Sequence, residues 1–464
     1  MTPLGRAEGD VGEPEISGPI SQQRTEDGRY WTPEIETASQ DRLRALQEEK
    51  LRHIVRHSYD NSRFYRRKFD EAGLAPEDIQ GIDDLPKLPV TTKEDLRESQ
   101  AREPMWGDIL AVPIEDCVTV HFTSATTGLP VAMLDTWDDW HNGFVESYAR
   151  GIYAMGVRPK DGILPAFSYG PYIGFWSAHM AMERIGCLVM PGGGASTEQR
   201  INYMRTYPIT VLCCTPSYAL FMAEQAQKLG IDLRTEANIR LTFHTGEPGA
   251  AIPSVKHKIE EAFGCKTYDI AGLTEIAAWG FECEPQPGGD HIHDDYVLSE
   301  VLDVDSGKPV GPGEQGELIL TNLYRHAMPL LRYRTKDIVR IASSRCPCGR
   351  TFRRFDGGVI GRLDDMKKVR GVVVYPSKIE ECVRSFGEVA EYQVLFHRKE
   401  GLDEITVRIE PVPQADAAFT RKLEDQLRLT IGIRCAIELL EPDALPRWDH
   451  KARRFKDNRT DVPF

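Results

Sequence analysis

The chain has 464 residues, more than one hydrophobic core usually serves, so a large domain with at least one smaller one is expected. Hydrophobic residues make up 41% and charged residues 28%, the balance of a soluble globular protein, and no apolar run approaches the ~20 residues of a membrane helix. A formal charge of −14, with no basic stripe interleaved with aromatics, argues against a nucleic acid partner.

Residues 1–27 are rich in Gly, Pro, Glu, Ser and Gln and carry no apolar stretch, the composition of a flexible leader rather than a secretory signal, which makes a cytoplasmic location the expectation. From Gln40 to Ala72 the apolar positions Leu43, Leu46, Leu51, Ile54 and Val55 recur at helical spacing, predicting one or two amphipathic helices. The β-rich runs Val118 to Phe122, Gly162 to Pro165, Leu188 to Met190, Val211 to Cys214, Ile239 to Phe243 and Lys266 to Ile270 then alternate with helical stretches. That rhythm is α/β with a largely parallel sheet. From Tyr296 the pattern becomes antiparallel, with strands at Glu300 to Val304 and Glu317 to Leu323 around the turn-rich Asp305 to Glu314. Beyond Gly361, about a hundred residues are enough for a small α+β domain, and the boundary is placed near Arg362 to Asp365.

The chemistry-bearing segments lie between these elements. His121-Phe122-Thr123-Ser124-Ala125-Thr126-Thr127-Gly128-Leu129-Pro130 follows a strand and is dense in hydroxyls, so backbone N–H groups and side chains there can wrap a triphosphate. It lacks the Gly-Lys-Ser/Thr ending of the common nucleotide loop. Ten cysteines without a secretory signal read as reduced thiols or metal ligands, and Cys346-Pro347-Cys348-Gly349 has a chelating spacing. Three thiolates and one imidazole, from Cys283, His291, Cys346 and Cys348, would close a tetrahedral structural zinc site. His291 and His293 both remain candidates.

The hydroxyl-rich loop, read with Tyr268 to Glu275 (YDIAGLTE), Arg332 to Asp337 (RYRTKD), Gly361 to Asp365 (GRLDD) and Leu445 to Lys451 (LPRWDHK), resembles the adenylate-forming superfamily of acyl-CoA synthetases, luciferases and peptide-synthetase adenylation domains. More closely the chain resembles the phenylacetate-CoA ligase family, from about Tyr30 to Arg459, including Phe64 to Phe69, Cys214 to Tyr218 and Gly246-Glu247-Pro248. The resemblance implies an α/β fold. A large N-terminal adenylate-forming domain with parallel and antiparallel sheets (residues 28–361) would carry a small mobile α+β C-terminal domain (residues 362–464).

It also implies roles. Ser124, Thr126, Thr127 and Gly128 would hold the ATP phosphates, Glu275 would meet the Mg²⁺ that neutralises them, and Thr274 beside it would belong to the catalytic set. Glu247, Asp269, Ala271, Gly272, Asp337 and Arg362 would bind the rest of the nucleotide, Asp337 at the ribose hydroxyls and Asp269 at the adenine amino group. Lys451 matches the catalytic lysine, which bridges carboxylate and α-phosphate as charge builds. Asp364 matches the hinge, and Arg370 and Gly371 the loop that would line the coenzyme A tunnel. The acyl pocket is expected at Phe167, Tyr169, Tyr172, Phe175 and His244, an aromatic lining suited to an aryl or arylacetic acid.

The sequence departs from the family pattern at Ala125 and Lys336, where glycine is usual, and at Ala271, where an aromatic ring usually stacks on adenine. The implied activity is ATP-dependent acyl-CoA ligation through an acyl-adenylate, by a possible homodimer. The alternatives are transfer to a carrier-protein thiol or an amine, and a nucleotide-binding homologue without turnover.

Overall fold

The computed structural model describes residues 28–123, 130–399, 401–413, 415–416, 418–447 and 454–459. The phosphate-loop positions Ser124, Ala125, Thr126, Thr127 and Gly128, the lysine Lys451 and the 1–27 leader therefore lie outside the described residues. No helix among the described residues is long and apolar enough to cross a membrane.

The amphipathic stretch after residue 40 forms two helices, Gln40–Asn61 and Arg63–Ala72. The break falls at Ser62, whose hydroxyl caps the second helix by accepting from the Tyr65 N–H. Leu51, Ile54 and Val55 are fully buried, the inward stripe that the spacing predicts.

The central sheet has eight strands. Five run parallel, in the order Leu188–Val189, Gly162–Pro165, Val211–Cys214, Leu241–His244 and Lys266–Leu273. Every residue of Val211–Cys214 and of Leu241–His244 is buried, as expected for strands covered by helices on both faces. After Leu273 the sheet continues antiparallel through Ala277–Phe281, Gly289–Ile292 and Arg354–Asp356. The run Cys117–Phe122 does not join the parallel sheet. It pairs antiparallel with Ala132–Thr136 in a separate two-stranded ribbon, leaving Val118 53% and Val120 38% exposed. Its alternation sets Val118 and Val120 on the open face and buries His121, the reverse of a strand with its apolar side inward, so the apolar residues alone do not reveal its place.

A second, antiparallel sheet joins Val297–Leu302, Gln315–Asn322, Tyr333–Arg340 and Gly361–Arg362, and it sets Asp337 directly opposite Arg362. Beyond it lies a sheet of Ala436–Leu439, Leu402–Pro411, Val389–Lys399 and Phe455–Asp457. The helices Pro376–Arg384 and Phe419–Ile431 accompany it, and residues from Val369 to Cys435 form a hydrophobic core of its own. The two long strands here are consecutive antiparallel neighbours with no helix between them.

This region meets the rest through polar contacts. Ser377 Oγ donates to the Ile360 carbonyl, Ser254 Oγ to that of Glu381, and Lys258 Nζ to that of Phe386. Arg447 reaches Glu224, and Arg454 Nη1 reaches Ser217 Oγ at 2.9 Å.

Candidate functional site

The carboxyl ends of parallel strands are where α/β sheets bind ligands, and the motif residues gather there. The strand Lys266–Leu273 ends in a turn that presents Thr274 and Glu275. Glu275 is buried, accepts a hydrogen bond from Tyr333 Oη at 3.0 Å and lies 3.4 Å from Lys93 Nζ. Lys93 arrives because Thr91 bridges to Tyr333, and Thr92 starts the helix Lys93–Arg102 through a capping box with Asp95. Beneath the turn, fully buried Arg325 donates to the carbonyls of Thr274 (3.2 Å) and Glu275 (2.8 Å) and pairs with buried Asp135 at 2.8 Å. Sequence reasoning missed Lys93, Tyr333 and Arg325. Tyr333 stood within the Arg332 to Asp337 motif without a role of its own, and for Lys93 the capping box marks a helix start rather than the reach of a side chain.

After the neighbouring strand Leu241–His244, Glu247 accepts from the Ser217 N–H at 2.7 Å, at the start of the helix Pro216–Lys228. Asp269 lies on the strand Lys266–Leu273, one position pair before Ala271, so the two share a sheet face. Burial, together with the charges of Asp290 and Glu282, holds the Asp269 carboxyl well above the usual range. Its Oδ1 has no protein partner, so it remains available as an acceptor for an amino group. Ala271 is buried and Gly272 exposed, and Ala271 stands close to Gly280 across the sheet.

Asp337 is buried on the strand Tyr333–Arg340 and accepts from Arg362 Nη1 at 2.8 Å. Arg362 also donates through Nε to Asp364 Oδ1 at 3.0 Å. Burial alone raises the Asp364 carboxyl, but Arg362 outweighs it and holds the group below its ordinary value. Lys336 has φ +63, the left-handed region that glycine enters freely, which accounts for glycine being usual at this position. Arg370 and Gly371, at φ +50 and +83, form the two-residue turn between Lys367–Val369 and Val372–Val374. Two consecutive positive φ values make it a hairpin turn of the I′ kind. Arg370 Nε donates to the Asp403 carbonyl, and Val372 and Val373 stand exposed beside the turn.

The aromatic residues expected around the acyl group form one cluster. Phe167 stacks on Phe175 with centroids 4.3 Å apart, Tyr169 packs edge-on to Phe167, and Tyr172 edge-on to Phe175. Tyr169 Oη hydrogen-bonds His179 Nδ1 at 2.7 Å. Trp176 tilts against Tyr169, donates to the Gly170 carbonyl and stays 42% exposed.

His244 does not share this cluster's chemistry. It is fully buried at the end of its strand, with Nδ1 on the Cys214 carbonyl at 3.0 Å and Nε2 on Thr242 Oγ1 at 3.0 Å. Burial pushes its pKa down to about 4, so it is a neutral core histidine with both nitrogens engaged inside the sheet. The expected contact between His244 and a substrate is corrected accordingly.

Cys283, His291, Cys346 and Cys348 converge, all buried, with their ligand atoms within 4.8 Å of one another. Cys283 Sγ lies 3.5 Å from Cys346 Sγ, and Cys348 Sγ 3.3 Å from His291 Nε2. The hydrogen bond between Cys283 and Cys348 lowers the pKa of the Cys348 thiol, with the His291 ring adding to the effect, and raises that of Cys283. His293 is excluded from the group. Its Nδ1 faces Arg150 Nη1 at 3.4 Å, and its ring packs on Phe281 and Tyr296.

Comparison with known proteins matches residues 42–323 to the AMP-binding enzyme family and residues 371–459 to the AMP-binding enzyme C-terminal domain. The chain is 35% identical over 452 residues to a phenylacetate-coenzyme A ligase of Thermus thermophilus, covering 92% of this chain and 99% of that protein. It is equally 35% identical over 440 residues to one of Escherichia coli, covering 92% and 98%. Among solved structures, a 2-hydroxyisobutyryl-CoA ligase in the postadenylation state with 2-HIB-AMP superposes with TM-score 0.89 at 31% identity over 94% of each chain. The same ligase in the thioesterification state, with 2-HIB-AMP and CoA, gives TM-score 0.72 at 32% identity over 95% of this chain and 94% of that one.

Proposed function

Because the chain belongs to the phenylacetate-CoA ligase family within the AMP-binding enzymes, an assignment that makes it an AMP-forming acid-CoA ligase, we propose that it activates an aromatic acid, aryl or arylacetic. The observation that carries the choice of acid is the stacked cluster of Phe167, Tyr169, Tyr172 and Phe175, which gives a flat ring faces and edges to pack against.

In the first half-reaction a carboxylate oxygen of the acid attacks the α-phosphorus of ATP. The new P–O bond forms as the α–β bridge breaks, and pyrophosphate leaves. The site residues divide this work. Glu275 and Thr274 would take the Mg²⁺ that neutralises the phosphates, with Arg325 fixing their backbone from below. Asp269 offers an unpartnered oxygen to the adenine amino group, with Ala271 and Gly272 along its ring and Glu247 nearby, and Asp337 with Arg362 would take the ribose. Ser124, Thr126, Thr127 and Gly128 complete the phosphate cradle, and Lys451 supplies the cation for the charge that develops in the transition state. In the second half-reaction the thiolate of coenzyme A attacks the acyl carbonyl and AMP leaves, after a rotation about Asp364 that brings the Arg370-Gly371 turn to the acyl group. We assign residues 28–361 and 362–464 as the two domains that rotate. The greater likeness to the postadenylation structure supports reading the present arrangement as that of the adenylating half.

The thiolate cluster is proposed as a structural zinc site. For Zn–S bonds of about 2.3 Å a tetrahedron separates two sulfurs by about 3.8 Å, within a few tenths of the Cys283–Cys346 spacing of 3.5 Å. Four protein ligands leave no position for substrate, so its contribution is to hold Cys283, His291 and the 346–348 turn together.

The test is acid-dependent pyrophosphate release over benzoic, hydroxybenzoic, aminobenzoic, phenylacetic and short aliphatic acids, with and without CoA, in the wild type and in Lys451→Ala. Release with aromatic acids, a CoA-dependent thioester, and a loss on the order of 10²-fold or more in the variant are expected. Preference for short aliphatic acids would overturn the aromatic assignment, and unchanged release by the variant would overturn the role of Lys451.

A further inference from the structure

Away from the nucleotide strands, three histidines meet where the helix Gln40–Asn61 passes the segment that follows the strand Gln315–Asn322. His53 and His57 lie one helical turn apart on the same face, their rings nearly parallel with centroids 6.5 Å apart. His326 enters edge-on to both, at 5.4 Å from His53 and 5.2 Å from His57. Two ring nitrogens face each other in the group: His53 Nε2 and His326 Nε2 are 3.3 Å apart.

The hydrogen-bond partners settle what each ring presents. His326 Nδ1 lies 3.5 Å from Asp139 Oδ1, a buried carboxylate that also accepts from the N–H groups of Thr136, His326 and Ala327. That anion favours hydrogen on Nδ1 and so leaves the lone pair on Nε2, facing His53. His57 is committed elsewhere. Its Nε2 donates to the His326 carbonyl at 2.9 Å, and its Nδ1 accepts from Asn61 Nδ2 at 3.2 Å, so it holds the His326 backbone in place. His53 is exposed, which gives solvent access to the gap between the two Nε2 atoms.

Two ring nitrogens at this distance are joined either by a hydrogen bond, one Nε2–H donating to the other Nε2, or by a cation that both ligate. For two imidazoles bonded at about 2.0–2.1 Å to a tetrahedral ion, the nitrogens stand about 3.3–3.4 Å apart. We infer that His53 and His326 form a binding site for a divalent transition-metal ion of the zinc, nickel and copper class, with water completing the coordination on the exposed side. Asp139 orients His326 through Nδ1 as an outer-shell carboxylate does in histidine metal sites, and His57 fixes the loop that carries it. The site shares no residue with the thiolate cluster. It adjoins the catalytic turn through sequence: His326 follows Arg325, whose guanidinium holds the Thr274 and Glu275 carbonyls. A metal here ties the helix Gln40–Asn61 to the segment that supports Glu275.

The experiment is a calorimetric titration of tag-free, full-length protein with Ni²⁺, in the wild type, His53→Gln, His326→Gln and Cys348→Ser. The wild type is expected to take up one equivalent that Cys348→Ser retains, and both histidine variants to bind it about a hundredfold more weakly or worse. His53 is exposed, so His53→Gln keeps the wild-type urea midpoint in the absence of metal and serves as the variant that cannot fail by misfolding. Nickel binding by His53→Gln equal to that of the wild type would overturn the site and leave the pair holding only a proton. Loss of that equivalent in Cys348→Ser would overturn it too, assigning the binding to the thiolates.

Discussion

Replacing Glu224 by Gln should slow one half-reaction and spare the other. Glu224 sits on the helix Pro216–Lys228, and Arg447 reaches it from the C-terminal region with Nε at 3.1 Å and Nη2 at 3.3 Å. The same guanidinium is held by Glu410 at 2.5 and 3.0 Å. The Glu410 side chain is 4% exposed and that of Glu224 29%. Arg447 therefore keeps its buried partner in the variant and loses only the outer one. A two-pronged, charge-assisted contact with this exposure stabilises the observed arrangement by about 1 kcal/mol, the upper end for exposed pairs. That corresponds to roughly a fivefold shift in population away from the observed arrangement. The assay is single-turnover pyrophosphate release beside thioester formation from preformed acyl-adenylate. Release should slow by up to about fivefold, with the CoA step unchanged or faster. Parallel losses in both steps, or no change in either, would refute the view that this contact holds the adenylating arrangement.

Glu391 should govern acid stability in the C-terminal region. Its burial would raise its pKa, but Arg384 and Arg454 outweigh that and pull it to about 2 from an ordinary 4.5. A carboxylate with a depressed folded pKa contributes stability in full above pH 4.5 and loses it as the pH falls toward 2, here about 3 kcal/mol. Glu391→Gln should thus be less stable than wild type to urea at pH 7, with the difference shrinking below pH 4.5; an equal difference at pH 7 and pH 3 would refute the linkage. Lys336→Gly should raise the free energy of unfolding in urea by about 1 kcal/mol, since φ +63 is strained for a side-chain-bearing residue; a fall would show that the attraction of Lys336 to Asp364 outweighs that strain. Cys348→Ser should lower bound zinc by one equivalent in elemental analysis and unfold at lower urea; unchanged zinc content would refute the proposed ligand set.

Runs such as Gly162–Pro165 and Val211–Cys214 were legible because strands buried on both faces read as continuous apolar segments with turn residues at their ends. The ribbon strand Cys117–Phe122 was legible as a strand but not in its partner, since pairing is a long-range choice that period-two alternation does not encode. Likewise His291 and His293 are two apart on an extended segment, so spacing places both on one side. What separates them is that Arg150 stands opposite His293 and the thiols opposite His291, arrivals from distant parts of the chain. His244 looked like a site residue because it ends a strand beside Thr245-Gly246-Glu247. The neighbouring strands instead supply the Cys214 carbonyl and, through Thr242, the Thr267 hydroxyl.

Stability is also distributed in the way that two successive reactions in one pocket demand. Under the catalytic turn, Arg325 and Asp135 are both fully buried, and the guanidinium bonds the Thr274, Glu275 and Leu134 carbonyls, so removing either ion would strand a buried charge. The groups that would take Mg²⁺ and nucleotide are thus fixed to the sheet. The C-terminal region has its own apolar core, from Val369 to Cys435, while its reach across to the large region is polar: Arg447 to half-buried Glu224, Lys228 to exposed Asp443, Ser254 and Lys258 to single carbonyls. Contacts of this kind exchange with water at little net cost, whereas separating an apolar interface would cost about 25 cal/mol for each Å² exposed. The proposed rotation calls for a rigid nucleotide platform and a detachable partner; the buried Arg325–Asp135 pair underlies the first, and the Arg447–Glu224 and Lys228–Asp443 contacts at the seam stay open to water.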